Sequence, residues 1–270
     1  MHNHVFRTLP GRLRDFPEIG VAGCEICGLT VHQQDISSTV NYETGSMHDW
    51  RPGWGGSFPS AKRDSQRRID KIEEMLKKTK GKRYLDIGCG KGEMVELVDQ
   101  LGYISRGYDP DFDSIDANLA ERGLVASDRA TIDSLGPYSL VSLFHVIEHI
   151  YDIVGFLKDL RPLLDANEGR LIIETPNARD ALVSTYKSEA FQNFTYWSHH
   201  PNLCTNTFLE EALAEAGFKV LSSEQVMRYG LANHLYWLSM GKPGGHEIWD
   251  GWLPDHLEAE YSNFLISKGI

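Results

Sequence analysis

Cysteine is scarce in this chain of 270 residues, and no apolar run approaches the roughly 20 residues that cross a bilayer. The four cysteines, Cys24, Cys27, Cys89 and Cys204, do not make a secreted disulfide framework in a chain of this length. The amino terminus lacks the apolar core of a signal peptide. A soluble cytoplasmic protein with no membrane span is the expectation. Basic charge is short as well. Lys and Arg number 27 against 38 Asp and Glu, for a net charge of −11. A phosphate backbone is repelled on average by such a surface, which argues against nucleic acid as a partner. The densest basic run, Lys77, Lys78, Lys80, Lys82 and Arg83, reads as the solvated end of a helix, where cations suit the dipole. No internal repeat is present. The 41% of apolar residues suffices for one large α/β core with a small appendage.

Residues 1–59 are rich in Gly, Pro and His, have little periodicity, and read as an irregular accessory segment. Arg51-Pro52-Gly53-Trp54-Gly55-Gly56 can only be loop. From residue 60 to 270 the patterns of one folded domain take over. Ser65 to Lys78 is expected as a helix, with Ile69, Ile72, Met75 and Leu76 on one face. Strands are expected at Tyr84–Ile87, Tyr103–Tyr108, Leu124–Ala126, Tyr138–Phe144, Arg170–Glu174 and Phe218–Val226. Helices with apolar stripes fall between them, and Gly102, Gly123 and Gly217 are placed to end three of these. Thr207 and Glu210 match a capping box. Phe191–Cys204 reads as an aromatic, His-rich loop, and the tail from Leu231 as an aromatic segment helical near its end. Alternating strand and helix predict an α/β doubly wound sheet with ligands above its carboxyl edge.

Leu85-Asp86-Ile87-Gly88-Cys89-Gly90-Lys91-Gly92 ends a strand in an acid and then places glycine at every second position. A phosphate-cradling loop needs Lys-Ser or Lys-Thr after its last glycine; here Glu93 and Met94 follow Gly92. A dinucleotide loop needs its third glycine at position 93, which is Glu. A carboxylate there competes with pyrophosphate for the helix start. The first reading fails and the second is weak. A loop of small residues beside an acid instead suits a ligand with an amino-acid tail and a cationic end.

In this stretch the chain resembles the class I methyltransferases, whose strand-ending acid-x-Gly-x-Gly-x-Gly is met by Asp86, Gly88, Gly90 and Gly92. Their second acid, at the end of the next strand, is met by Asp109 in Gly107-Tyr108-Asp109-Pro110. Phe144-His145-Val146-Ile147-Glu148-His149 and Leu171 to Asn177 look like the ends of their fourth and fifth strands. The resemblance implies a Rossmann-like, mostly parallel seven-stranded sheet with helices on both faces. It implies S-adenosyl-L-methionine as cofactor and S-adenosyl-L-homocysteine as product. Asp86, Gly88, Cys89 and Gly90 would meet the methionine tail, and Asp109 with Pro110 the ribose, a carboxylate accepting two hydroxyls at once. Ser127 and Asp128 would lie near the adenine, and Phe144 beside the cofactor.

Methyl transfer from a sulfonium is an in-line displacement that the protein aligns. A hydroxyl acceptor gains from a base, and His is suited to that near neutral pH. Candidates are His145 and His149 after the fourth strand, and His199 or His200 in Tyr196-Trp197-Ser198-His199-His200-Pro201. His145, Glu148 and His149 share one face if a helix starts there, as bases, as metal ligands or as structural contacts. Some quinone-type O-methyltransferases hold a metal through Glu, Glu and His at these places; His145 stands here for the first Glu. Cys24-Glu25-Ile26-Cys27 resembles the second of two zinc knuckles that precede the catalytic domain in some deoxysugar-building relatives. A zinc site needs four ligands, for which His2, His4, His32 and His48 are candidates. The expectation is an enzyme that O-methylates a small polar acceptor: a sugar, sugar nucleotide, polysaccharide precursor or secondary metabolite. N- or C-methylation and a non-catalytic cofactor-binding module are the alternatives.

Overall fold

The computed structural model describes residues 2–40, 59–111, 115–249 and 251–270. The loop expected over Arg51–Gly56, His48 and Phe112 lie outside the described residues. Three strands open the chain: β1 (Phe6–Arg12), β2 (Gly20–Cys24) and β3 (Thr30–His32). They pair antiparallel in that order, and β3 pairs in turn with the two-residue strand β9 (Asn202–Leu203). The irregular segment expected here is therefore a small sheet. Its first strand is a largely exposed edge containing Pro10 and Gly11, so it shows no alternation, while β2 is buried throughout.

Helix α1 (Pro59–Lys77) leads into β4 (Arg83–Ile87), α2 (Glu93–Gln100), β5 (Ile104–Tyr108), α3 (Ala117–Glu121) and β6 (Val125–Ala126). Then come α4 (Arg129–Ser134), β7 (Leu140–Phe144), α5 (Ile153–Leu160) and β8 (Arg170–Glu174). The five strands are all parallel, in the order β6-β5-β4-β7-β8. Strands β4 and β7 sit centrally and are almost wholly buried, as continuous apolar runs dictate in a sheet covered on both faces. Met94, Val95 and Val98 of α2 are buried, each side chain contributing about 1.5–3 kcal/mol. The basic run at the end of α1 is spent on surface pairs, Lys77 with Glu73 and Lys78 with Glu74.

The chain continues through α6 (Ala181–Ser184), α7 (Glu189–Thr195), β9, α8 (Asn206–Glu215), α9 (Leu231–Met240), α10 (Gly245–Ile248) and α11 (Asp255–Ser267). Three expectations change here. The sheet has five described strands rather than seven, and residues 218–226, the sixth expected strand, are not paired as one. Side chains hold that segment instead: Lys71 meets Glu224, and Gln225 bonds to Asn177 and Asn206. The region 191–204 is partly regular, since Ser188 caps α7 through the Phe191 N–H. Helix α8 starts earlier than the capping-box reading: Thr205, not Thr207, accepts from the Phe208 N–H. The main core joins Leu85, Val141, Leu143 and Leu157 to Phe208, Cys24, Cys27 and Leu29, so the first strands share it. Among the described residues, no helix is long and apolar enough to cross a membrane.

Candidate active site

At the end of β4, Gly88, Gly90 and Gly92 all take left-handed backbone, with φ of 72°, 52° and 88°. Glycine alone does so without a steric penalty. The N–H groups of Gly88 and Cys89 both donate to the Tyr108 carbonyl, at 2.7 and 3.1 Å, stapling the loop to the end of β5. A Cβ on Gly88 would stand 2.4 Å from Val146, and one on Gly92 2.7 Å from Leu119. At Gly90 a Cβ would meet nothing within 4 Å: the loop opens onto space there. Cys89 turns inward, its sulfur against Gly107, and burial pushes its thiol up.

Asp109 faces that opening. Its carboxylate accepts from the Gly90 N–H at 2.7 Å and from the Asp111 N–H at 2.9 Å. Asp86 is buried under the loop and accepts from the Ser142 hydroxyl at 2.6 Å. Burial raises its carboxyl to about 7 against the pull of Ser142 and Arg68. Pro110 is exposed beside Asp109. Asp128 spends its carboxylate on the start of α4, accepting from the N–H groups of Ala130 and Thr131; Ser127 precedes it at the exit of β6. Phe144 ends β7 with the Arg68 guanidinium 4.8 Å from its ring. The loop N–H groups of Gly88, Cys89 and Gly90 are thus turned to protein oxygens, with the Asp109 carboxylate at the opening and Asp86 buried beneath the loop. Such a site repels pyrophosphate and fits a ligand with an ammonium and vicinal hydroxyls. The residues present fit S-adenosylmethionine: Asp86 and Gly90 would serve its amino-acid tail and Asp109 its ribose.

Beyond the end of β7 the four histidines part company. His145 takes φ of 61°, costly for a non-glycine residue. Its Nδ1 lies 3.2 Å from Glu148 and its Nε2 2.7 Å from Arg228, which also grips Asp64. Arg67 and Arg68 clamp Glu174 beside it. Both ring nitrogens of His145 are therefore engaged, which weakens its reading as a base. Glu148 is buried and takes a second bond from the Thr175 hydroxyl at 2.9 Å. Burial pushes its carboxyl up, but the bond to His145 and the attraction of that ring outweigh this and hold it at about 2. It stays ionised.

His149 donates from Nδ1 to the His199 carbonyl at 2.6 Å, which leaves its lone pair on Nε2. The His200 ring lies 4.9 Å from that of His149. Burial, helped by His149, pushes His200 down to about 3, so it is neutral. Its Nδ1 is buried with no hydrogen-bond partner among the described residues. His199 instead tilts over Trp197 and meets Ser198, so it contributes its carbonyl to the centre and not its ring. Glu148, His149 and His200 bring one ligand atom each within 4.8 Å of one another. The trio expected from spacing, His145, Glu148 and His149, is replaced by this one, because a single 3-10 turn over Ile147–His149 stands where a regular helix was needed.

A cavity of about 1730 Å³ adjoins this centre, walled by Phe191, Trp197 and Trp237, with Arg14, His200 and Arg228 on its surface. Arg14 lies over the Trp197 ring at 4.2 Å. Sequence reasoning passed over Arg14, Arg68, Glu174 and Arg228. Only the adjacent pair Arg67-Arg68, opposite an acid that ends a strand, carried a signal for them.

Residues 61–223 match the methyltransferase domain family, more than half of the chain. A ubiquinone biosynthesis O-methyltransferase from Bradyrhizobium diazoefficiens is 34% identical over 104 residues, covering 36% of this chain and 41% of that protein. One from Caulobacter is 36% identical over 106 residues, covering 36% and 42%. The chain thus spans less than half the length of these curated relatives. Among solved structures, magnesium protoporphyrin IX methyltransferase from Synechocystis, crystallised with S-adenosylhomocysteine, superposes with a TM-score of 0.50. It is 17% identical and covers 72% of this chain and 94% of its own, a likeness of fold. The matched domain, together with the glycine turn and the Asp109 carboxylate beside it, makes this chain a member of the methyltransferase domain family.

Proposed function

We propose that this enzyme O-methylates a small, polar, ring-bearing acceptor, a sugar derivative or a hydroxylated secondary metabolite, with His149 as the base. The observation that carries this reading is the bond from His149 Nδ1 to the His199 carbonyl, which leaves the basic lone pair on Nε2. S-adenosylmethionine supplies a methyl group on a cationic sulfur. The chain supplies the rest. His149 takes the proton of the acceptor hydroxyl, and ionised Glu148 steadies the imidazolium that results. Phe191, Trp197 and Trp237 give the cavity an apolar wall for a ring to pack against, while Arg14 and Arg228 complement anionic substituents on it. Oxygen as the methylated atom is supported by relatives that carry O-methyltransferase in their names.

Mass spectrometry of products from a panel of hydroxylated sugars and phenolic metabolites tests the reading. A gain of one methyl on oxygen, lost in His149→Gln, supports it; methylation of nitrogen or carbon alone overturns it. A second reading comes from the cluster of Glu148, His149 and His200, which suits a divalent cation that acidifies the acceptor hydroxyl. Loss of turnover in chelator, restored by magnesium or manganese, selects it. Full turnover in chelator removes it.

A further inference from the structure

We propose that His2, His4, Cys24 and Cys27 form a closed four-ligand site for one zinc ion, which clasps the amino-terminal strands to helix α8. One ligand atom from each of the four lies within 4.8 Å of the others. Bond lengths of about 2.0–2.3 Å place the ligand atoms of a tetrahedral zinc about 3.3–3.8 Å apart. The observed edges match. His2 Nε2 is 3.4 Å from the Cys24 sulfur, and His4 Nδ1 is 3.3 Å from Cys24 and 3.7 Å from Cys27.

The surroundings are built for the same purpose. His2 and His4 are two residues apart where the chain enters β1, so their rings reach one side of it. Cys24 ends β2 and Cys27 follows in a tight turn. Gly28 closes that turn at φ 79° and donates its N–H to the Cys24 carbonyl at 2.9 Å. The Cys24 sulfur accepts from the backbone N–H groups of Cys27 and Ile26, and the Cys27 sulfur from that of Leu29. Such donors offset the charge of a thiolate pair. His2 presents its other nitrogen to the Glu211 carboxylate at 2.6 Å, which fixes the ring with Nε2 toward the sulfurs. That carboxylate–histidine arrangement orients metal-bound imidazoles.

Chemistry selects the ion. Two thiolates and two imidazoles in a tetrahedral cluster suit zinc over magnesium or calcium. A divalent ion neutralises both thiolates, which matters where the cysteines are 4% and 5% exposed against Leu29 and Phe208. All four positions come from protein, so the site is structural and leaves none for a reacting group. It ties three parts of the fold together. His2 reaches α8 through Glu211, and the Thr205 hydroxyl that caps α8 donates to the Cys27 carbonyl. The aromatic wall over 191–204 is thereby braced from behind.

The test uses the full chain without a polyhistidine tag. Inductively coupled plasma mass spectrometry after dialysis is expected to find about one zinc per chain, and Cys27→Ser to lose it. Should Cys27→Ser fail to fold, cobalt exchange into the native chain decides alone. Thiolate-to-cobalt charge transfer together with tetrahedral visible bands supports the site. Zinc below roughly a tenth of an equivalent in reduced protein, with no such bands after cobalt incubation, overturns it. Cobalt bound without charge transfer, as at Glu148, His149 and His200, also overturns it.

Discussion

The backbone N–H of Gly90 donates to the Asp109 carboxylate across 2.7 Å, joining the first βα turn to the end of the neighbouring strand. The bond sets the carboxylate at the rim of the opening above Gly90. Asp109→Ala removes an acceptor that holds the loop and, on the proposed reading, the ribose. Hydrogen bonds to a charged group contribute about 1.5–3 kcal/mol, so S-adenosylhomocysteine should bind roughly ten- to hundredfold more weakly. Isothermal titration measures this, and an unchanged affinity would refute the ribose role.

Asp86 carries a pH dependence. Its carboxyl is raised to about 7 in the fold, against about 4 in an unfolded chain. Below about 4 both states hold the proton; between about 4 and 7 the folded chain holds one that the unfolded chain releases. Its contribution to stability is therefore full at low pH and falls as pH rises through that window. The ammonium of the cofactor favours the ionised acid, so affinity should change the other way and tighten from pH 5.5 to about 8. Asp86→Asn should flatten the affinity profile; a native profile already flat would separate Asp86 from the ligand.

His149→Gln should lower turnover by about 10²–10⁴ with little change in S-adenosylhomocysteine affinity. His199→Ala should keep most turnover, because His199 contributes its carbonyl to His149 and not its ring. Steady-state kinetics on the acceptor separate the two. Equal losses in both variants would contradict this division.

Gly88→Ala and Gly90→Ala should fail in different ways. An added Cβ at Gly88 stands 2.4 Å from Val146, whereas at Gly90 it enters open space. Thermal unfolding should show a large drop for Gly88→Ala and a drop of only about 1–2 kcal/mol, the left-handed backbone penalty, for Gly90→Ala. Gly90→Ala should instead lose cofactor affinity. Similar stabilities for the two variants would argue that the loop is not packed against Val146.

The glycine turn and the acids around it were legible because they depend on backbone geometry that only certain residue types permit. Gly88, Gly90 and Gly92 announce left-handed turns, and the acids Asp86 and Asp109 sit at strand ends that apolar runs mark plainly. The acceptor side was less legible. Which of His199 and His200 turns inward depends on Trp197 and Ser198 packing, and nothing local encodes it. Helix α7 was hidden by an aromatic run that blurs its period, though Ser188 was in place to cap it. Strand β1 escaped notice because an exposed edge with Pro10 and Gly11 has no alternation to read. The segment 218–226 has strand-forming residues yet no ladder, since Glu224 and Gln225 are engaged through their side chains.

Strand β3 finds its second neighbour in β9, with Thr30 opposite Leu203. A ribosome delivers the first of these long before the other. The opening strands must therefore wait, one edge unpaired, until most of the polypeptide has emerged. Contacts so distant along the chain slow folding, because a long loop must close before the pairing rewards it. Premature termination anywhere before Asn202 would strand that edge for good and leave it open to pairing with other chains.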